Sequence, residues 1–172
     1  MKAGSPKKKA KLIYSNKDGL LVFGYGNLSR GDDALGPLVI EYIEHNLQVP
    51  GLEIITDFQL QIEHALDLES RKLVLFIDAS VACTEACSLT KLLPEKDKSY
   101  TTHAMSPASV LAVYQDVMHK EPPPCFLLSI QGVEFELGSS LSDQAERNLA
   151  VAIGLVSDLL HKPELDYWLS HA

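Results

Sequence analysis

A chain of 172 residues, 46% of them apolar, can bury one substantial core but has little room for two, so a single domain is expected. Its net charge of −8 argues against a nucleic-acid surface, which needs a basic stripe to neutralise phosphates. No apolar run approaches the roughly 18 residues of a membrane span and none follows the N-terminal lysines as in a signal peptide, so no membrane role and a cytoplasmic location are expected.

The one basic cluster, Lys7, Lys8, Lys9 and Lys11, lies in a segment without apolar periodicity. Residues 1–18 are therefore read as a flexible, solvated leader, and residues 19–172 as the domain. Residues 20–23, LLVF, form a short apolar run of the kind that becomes a buried parallel strand. Residues 24–36, GYGNLSRGDDALG, follow as a glycine turn with two adjacent carboxylates, and Leu38, Val39, Tyr42, Ile43 and Leu47 then recur at helical spacing. A buried strand that leaves through Gly-x-Gly and re-enters as a helix puts its loop at the carboxyl edge of the sheet, where open α/β folds keep their ligand sites. An acid just ahead of a helix commonly caps free N–H groups, which accounts for Asp32. A second, adjacent carboxylate adds repulsion that a metal or a substrate charge would relieve, so Asp33 is assigned to function.

Beyond the first helix, strand and helix alternate. Residues 52–56 make a second strand, 62–68 a helix, and 73–77 a third strand that Asp78 ends. Residues 88–93 suit an edge strand, antiparallel to the rest, ahead of a polar stretch at 94–102. Ser106 and Pro107 open a helix through Met118, the prolines at 122–124 introduce a strand at 126–130, and residues 142–160 form a last helix with Leu149, Ile153, Val156 and Leu160 inward. This alternation predicts a three-layer α/β/α sandwich around a mostly parallel twisted sheet with one antiparallel strand. Cys83, Cys87 and Cys125 lack paired CxxC spacing and are read as free thiols.

Asp78 closes the apolar run LVLFI although aspartate is depleted in strands. If strands one and three are neighbours, Asp33 and Asp78 face one crevice. His103 lies in a loop just before the Ser106 helix, which on this topology reaches the same edge. Two carboxylates and one imidazole suit a divalent transition metal with open positions. A serine triad is not indicated: Ser29 and Ser80 lack the GxSxG setting, and Cys83 has no evident histidine partner.

GYGNLSRGDDALG, FIDAS at the end of strand three and HAMSP before the following helix together resemble the hydrogenase maturation proteases, endopeptidases that process nickel-iron hydrogenase large subunits. The resemblance covers nearly the whole chain apart from the leader and the final turn. Residues 59–63, QLQIE, further resemble the branch serving NAD-linked bidirectional hydrogenases. The resemblance implies an enzyme that removes the C-terminal extension of a nickel-loaded large-subunit precursor, with Asp33, Asp78 and His103 as the catalytic, metal-recognising set and with nickel brought by the precursor. Gly24, Gly26, Asn27, Asp32, Gln59 and Glu63 are the expected substrate-contacting residues, and Asp32 and Glu63 are alternative general bases. Many relatives carry glutamate at the position of Asp33 and a glycine-rich loop where this chain has TDFQLQIE.

Two other functions fit parts of the pattern. A dinucleotide-binding module is disfavoured because Ser29 stands where the third glycine of GxGxxG belongs and two acids would repel a pyrophosphate. A non-catalytic, nickel-dependent escort of the large subunit fits the same motifs as the protease. A monomer that pairs transiently with its substrate is expected.

Overall fold

The computed structural model describes residues 19–96 and 105–172. The expected leader and His103 lie outside them.

Five strands form one sheet: β1 (Gly19–Tyr25), β2 (Leu52–Asp57), β3 (Arg71–Ser80), β4 (Cys87–Lys91) and β5 (Cys125–Gln131), in the order β2-β1-β3-β5-β4. β4 alone runs antiparallel, against β5 at the edge, and the other pairings are parallel. β1 and β3 are fully buried along their apolar runs, as parallel strands covered on both faces must be. Successive side chains alternate between two cores. Leu20, Val22, Leu73, Leu75 and Ile77 meet α1 (Leu35–Asn46), α3 (Asp143–His161) and α4 (Leu165–Leu169) on one face. Leu21, Phe23, Val74 and Phe76 meet α2 (Pro107–Met118) and the 3-10 helix Ile62–Leu68 on the other. The expected three-layer sandwich and the neighbouring of strands one and three are both observed.

Three features depart from expectation. Asp78 does not end its strand; β3 runs on to Ser80 because Asp78, Ala79 and Ser80 pair with Ser129, Ile130 and Gln131 of β5. The segment 62–68 is helical with the expected limits but 3-10 in type. The inward stripe of α3 is Ala145, Asn148, Ala152, Val156, Leu159 and Leu160, so Leu149 and Ile153 sit at its margin. α4 was not foreseen; its Trp168 is fully buried, edge-on to Phe126, and donates its indole N–H to the Leu159 carbonyl at 2.9 Å. Cys83, Cys87 and Cys125 are all free thiols.

The chain leaves β1 toward β2 and returns past it to β3, so the β1/β3 boundary is the switch point at which a crevice opens beyond the carboxyl ends of the strands. Two glycines set how closely α1 closes that crevice. A Cβ on Gly24 would stand 2.3 Å from Ile40 Cγ1, and one on Gly36 would stand 2.6 Å from the Tyr25 carbonyl and 2.7 Å from that of Ile77. The first turn of α1 thus rests on the backbone of β1 and β3. Gly36→Ala is expected to destabilise the fold by about 2 kcal/mol, because backbone atoms must move, and a urea-unfolding midpoint unchanged from the parent would contradict it.

Candidate active site at the strand switch point

Two carboxylates reach the crevice from different elements, one from the loop after β1 and one from β3. Asp33 lies in the 3-10 turn Gly31–Ala34 between β1 and α1, half-buried, and its Oδ2 accepts the Asn27 N–H at 2.8 Å. Gly26 makes that turn possible: its φ is +144°, and a Cβ there would meet the Asp33 carbonyl at 2.0 Å. The Gly26 N–H also donates to the Asp57 carbonyl at the end of β2, so the loop is tied to the neighbouring strand.

Asp78 projects from β3, one residue beyond the Gly24/Ile77 pairing and level with Tyr25. Burial pushes its carboxyl up to about 7; a hydrogen bond from the Tyr25 hydroxyl opposes the rise, the Asp33 charge adds to it, and the Ala79 N–H opposes it. The Tyr25 phenol is itself driven well above its ordinary value, first by burial and then by the Asp78 charge, so it stays protonated and donates. Asp33 and Asp78 therefore feel one another, and near neutrality the Asp78 carboxyl is poised to lose its proton. Such a pair can bind a cation with release of a proton, or exchange protons with a bound water.

Asp32 differs from its neighbour in every respect. Its side chain is fully buried, and it caps nothing in its own turn. It accepts N–H groups from Val133 at 2.7 Å, Glu134 at 3.0 Å and Ser142 at 2.8 Å, and the Ser142 hydroxyl at 2.8 Å. Burial alone would raise its pKa, but these donors outweigh it, those of the Ser142, Val133 and Glu134 backbone first, and the carboxyl lies below the usual range. The expected local cap is thus replaced by a clasp on residues about 100 positions away, and no free carboxylate is left for substrate contact or for general-base work. Gly24 is likewise a packing residue, buried against α1. Asn27 stands at the crevice, its side-chain oxygen accepting the Ser29 N–H at 2.9 Å. Gln59 and Glu63 are exposed, on the loop after β2 and in the first turn of the 3-10 helix.

His103 lies outside the described residues, which resume with Met105, whose N–H donates to the Leu60 carbonyl at 3.3 Å. Ser106 caps α2 as expected, accepting the Ser109 N–H at 3.1 Å. Among the described residues no three His, Cys, Asp or Glu side chains are arranged to hold a metal ion. Asp33 and Asp78 offer two carboxylates to a cation at this edge.

One pair at this edge was missed in the sequence. His64 is almost fully buried beneath the crevice, edge-on to Phe23; its Nδ1 accepts the Gln61 N–H at 2.9 Å, which leaves Nε2 with the proton, 3.5 Å from Asp57 Oδ2. An acid at the carboxyl end of an apolar strand was the signal that singled out Asp78, and the same signal at Asp57 was available.

No protein-family model matches the chain, and no curated protein is significantly similar to it. Its fold nevertheless has known counterparts among solved structures. The chain superposes on the hydrogenase maturating endopeptidase HybD from Escherichia coli with a TM-score of 0.67 at 22% identity, over 84% of this chain and 93% of that one. The [NiFe] hydrogenase maturation protease HycI from Thermococcus kodakarensis gives 0.64 at 21% identity, over 87% and 96%. The hydrogenase 2 maturation peptidase of a Thaumarchaeota archaeon gives 0.59 at 20% identity, over 84% and 99%. The chain has the fold of these endopeptidases. Among the described residues no helix is long and apolar enough to cross a membrane.

In the metal-free protein the Asp78 carboxyl, followed by carbon-detected NMR, is expected to titrate at about 7; Asp33→Asn lowers that midpoint and Tyr25→Phe raises it. Because the folded-state value is raised, the group favours the fold fully below about pH 4 and loses that contribution as pH rises through about 7. Asp78→Asn should therefore raise the melting temperature at pH 8 and leave it unchanged at pH 4, and the reverse pattern would refute the assignment. Asp32 has the opposite sign: its contribution is complete at neutral pH and disappears as pH falls through its depressed value. Asp32→Ala is expected to cost about 3 kcal/mol at pH 7, measured by urea unfolding.

Proposed function

We propose that this protein is an endopeptidase that removes the C-terminal extension of a nickel-loaded [NiFe]-hydrogenase large-subunit precursor. The observation that carries the proposal is the meeting of Asp33, from the turn after β1, and Asp78, from β3, at the β1/β3 switch point, with burial raising the Asp78 carboxyl to about 7. The fold shared with solved hydrogenase maturation endopeptidases supports it. So does the HAMSP segment, which supplies His103 as the third member of the set.

Nickel belongs to the substrate on this proposal. The precursor presents a partly coordinated ion, and Asp33, oriented by the Asn27 N–H, is one of the carboxylates that would receive it. Binding of the same ion by Asp78 would release the carboxyl proton to solvent, and Tyr25 would keep the resulting carboxylate hydrogen-bonded in the crevice. A water or the scissile carbonyl held against such an ion becomes easier to activate, so hydrolysis needs no serine or cysteine nucleophile. Nickel-free precursor offers nothing for the two carboxylates to bind, which makes the enzyme a checkpoint on metal loading. The QLQIE segment directs the proposal toward hydrogenases of the NAD-linked bidirectional kind, and the protein works as a monomer in the cytoplasm.

The test is the mass of a large-subunit precursor after incubation with this protein, nickel-loaded against nickel-free. Loss of a C-terminal peptide from the loaded form alone is expected. Asp33→Asn, Asp78→Asn and His103→Ala should each slow processing at least about 100-fold, more than the loss of an outer-shell partner costs. Processing at the parental rate by all three variants would refute the metal-recognising set, and tight binding without any mass change would establish an escort.

A further inference from the structure

Beside the Asp33 loop, on the β2 side, lies an open groove of about 660 Å³ that the reaction chemistry leaves unused. One wall is a single stripe of α1. Pro37, Ile40, Glu41 and Glu44 are spaced as i, i+3, i+4 and i+7 and so stand on one helical face. The other wall is the end of β2, from Thr56 to Phe58, and Gly26 and Asn27 close the end nearest Asp33. The groove carries exposed apolar surface: Phe58 is 72% and Leu28 62% accessible.

The charges around this surface have one sign. Glu41, Glu44 and Asp57 line the groove and no basic residue does. Asp57 is partly committed, to the Phe58 N–H at 2.7 Å and to His64. Glu41 and Glu44 are exposed and have no side-chain partner among the described residues. Like charges three residues apart on a helix repel, and nothing described offsets them. An apolar trough flanked by uncompensated carboxylates is complementary to an extended peptide that carries a lysine or arginine next to a bulky apolar side chain.

We propose that this groove is a specificity site, which seats a basic and apolar segment of the partner protein while an adjacent segment reaches Asp33 and Asp78. The proposal rests on the protease reading for its biological partner, but the groove's chemistry does not. The two sites share one loop: Asn27 lines the groove and donates its backbone N–H to Asp33. A segment bound there is held within one loop of the reacting centre, which raises its effective concentration at the site.

The experiment uses two capped hexapeptides, Ala-Lys-Phe-Leu-Lys-Ala and its counterpart with glutamate for each lysine, titrated into isotope-labelled full-length protein and followed by amide chemical shifts. The lysine peptide is expected to move the amides of residues 26–29, 38–44 and 56–58, and the glutamate peptide to leave them in place. The double variant Glu41→Gln/Glu44→Gln should weaken the lysine peptide about three- to tenfold, and 0.5 M salt should weaken its binding to the parent protein. Equal response to both peptides, or none to either, overturns the inference. Shifts at the same residues that grow with protein concentration alone assign the groove to a second copy of this chain, and that also overturns it. In parallel, precursor processing by the double variant should show KM raised several-fold more than kcat is lowered. Processing with an unchanged KM overturns the groove and leaves the protease standing, whereas peptide binding without any processing overturns the protease and leaves the groove.

Discussion

A negative charge can persist out of water only if the chain itself supplies its solvation, and Asp32 meets that condition with four donors from the segment after β5. The same junction is sewn by backbone bonds. The Gly31 N–H reaches the Ser139 carbonyl, the Asp32 N–H reaches that of Glu134, and the Gly138 N–H reaches that of Ser29. The Arg30 side chain adds a bond to the Phe135 carbonyl. The loop after β1 would otherwise be a connection with few apolar contacts. Fixed to the loop after β5, it becomes a rigid ledge, and Asp33, the next residue, inherits a defined position. Ser142 also caps α3, so the carboxylate, the helix cap and the ledge form one polar unit.

Adjacent aspartates thus divide two tasks by environment. Asp32 has its charge stabilised by convergent N–H groups and serves the fold. One residue on, Asp33 has a single backbone donor and stays open to the crevice. Asp78 completes the contrast, since its surroundings disfavour charge while those of Asp32 favour it. A crevice that keeps one carboxyl close to neutrality resists like-charge repulsion when empty and gains a second anionic ligand when a cation arrives.

Much of this was legible in the chain because it rests on local signals. Short apolar runs marked β1, β3 and β5, the Ser-Pro pair marked the start of α2, and the glycine turn after β1 marked the candidate site. The signal failed where partners are distant in sequence. The role of Asp32 depends on donors at positions 133, 134 and 142, which no window around position 32 contains. The extension of β3 past Asp78 is imposed by pairing with β5, against the local preference of aspartate. The α3 stripe shifted because Asn148 is drawn inward by bonds to the Gln131 carbonyl and side chain, a polar anchor that hydrophobic periodicity cannot register. His64 escaped because its importance lies in facing Asp57 across a loop.

The buried tryptophan has a use of its own. Trp168 is the chain's single tryptophan and packs in the core formed with α3 and β5, whereas Asp78 and Tyr25 project to the other face of the sheet. Its emission therefore reports the integrity of the scaffold without interference from the crevice. A variant that loses its chemistry while that emission stays native-like has lost function and kept its fold, so the molecule contains the optical control that its own mutagenesis requires.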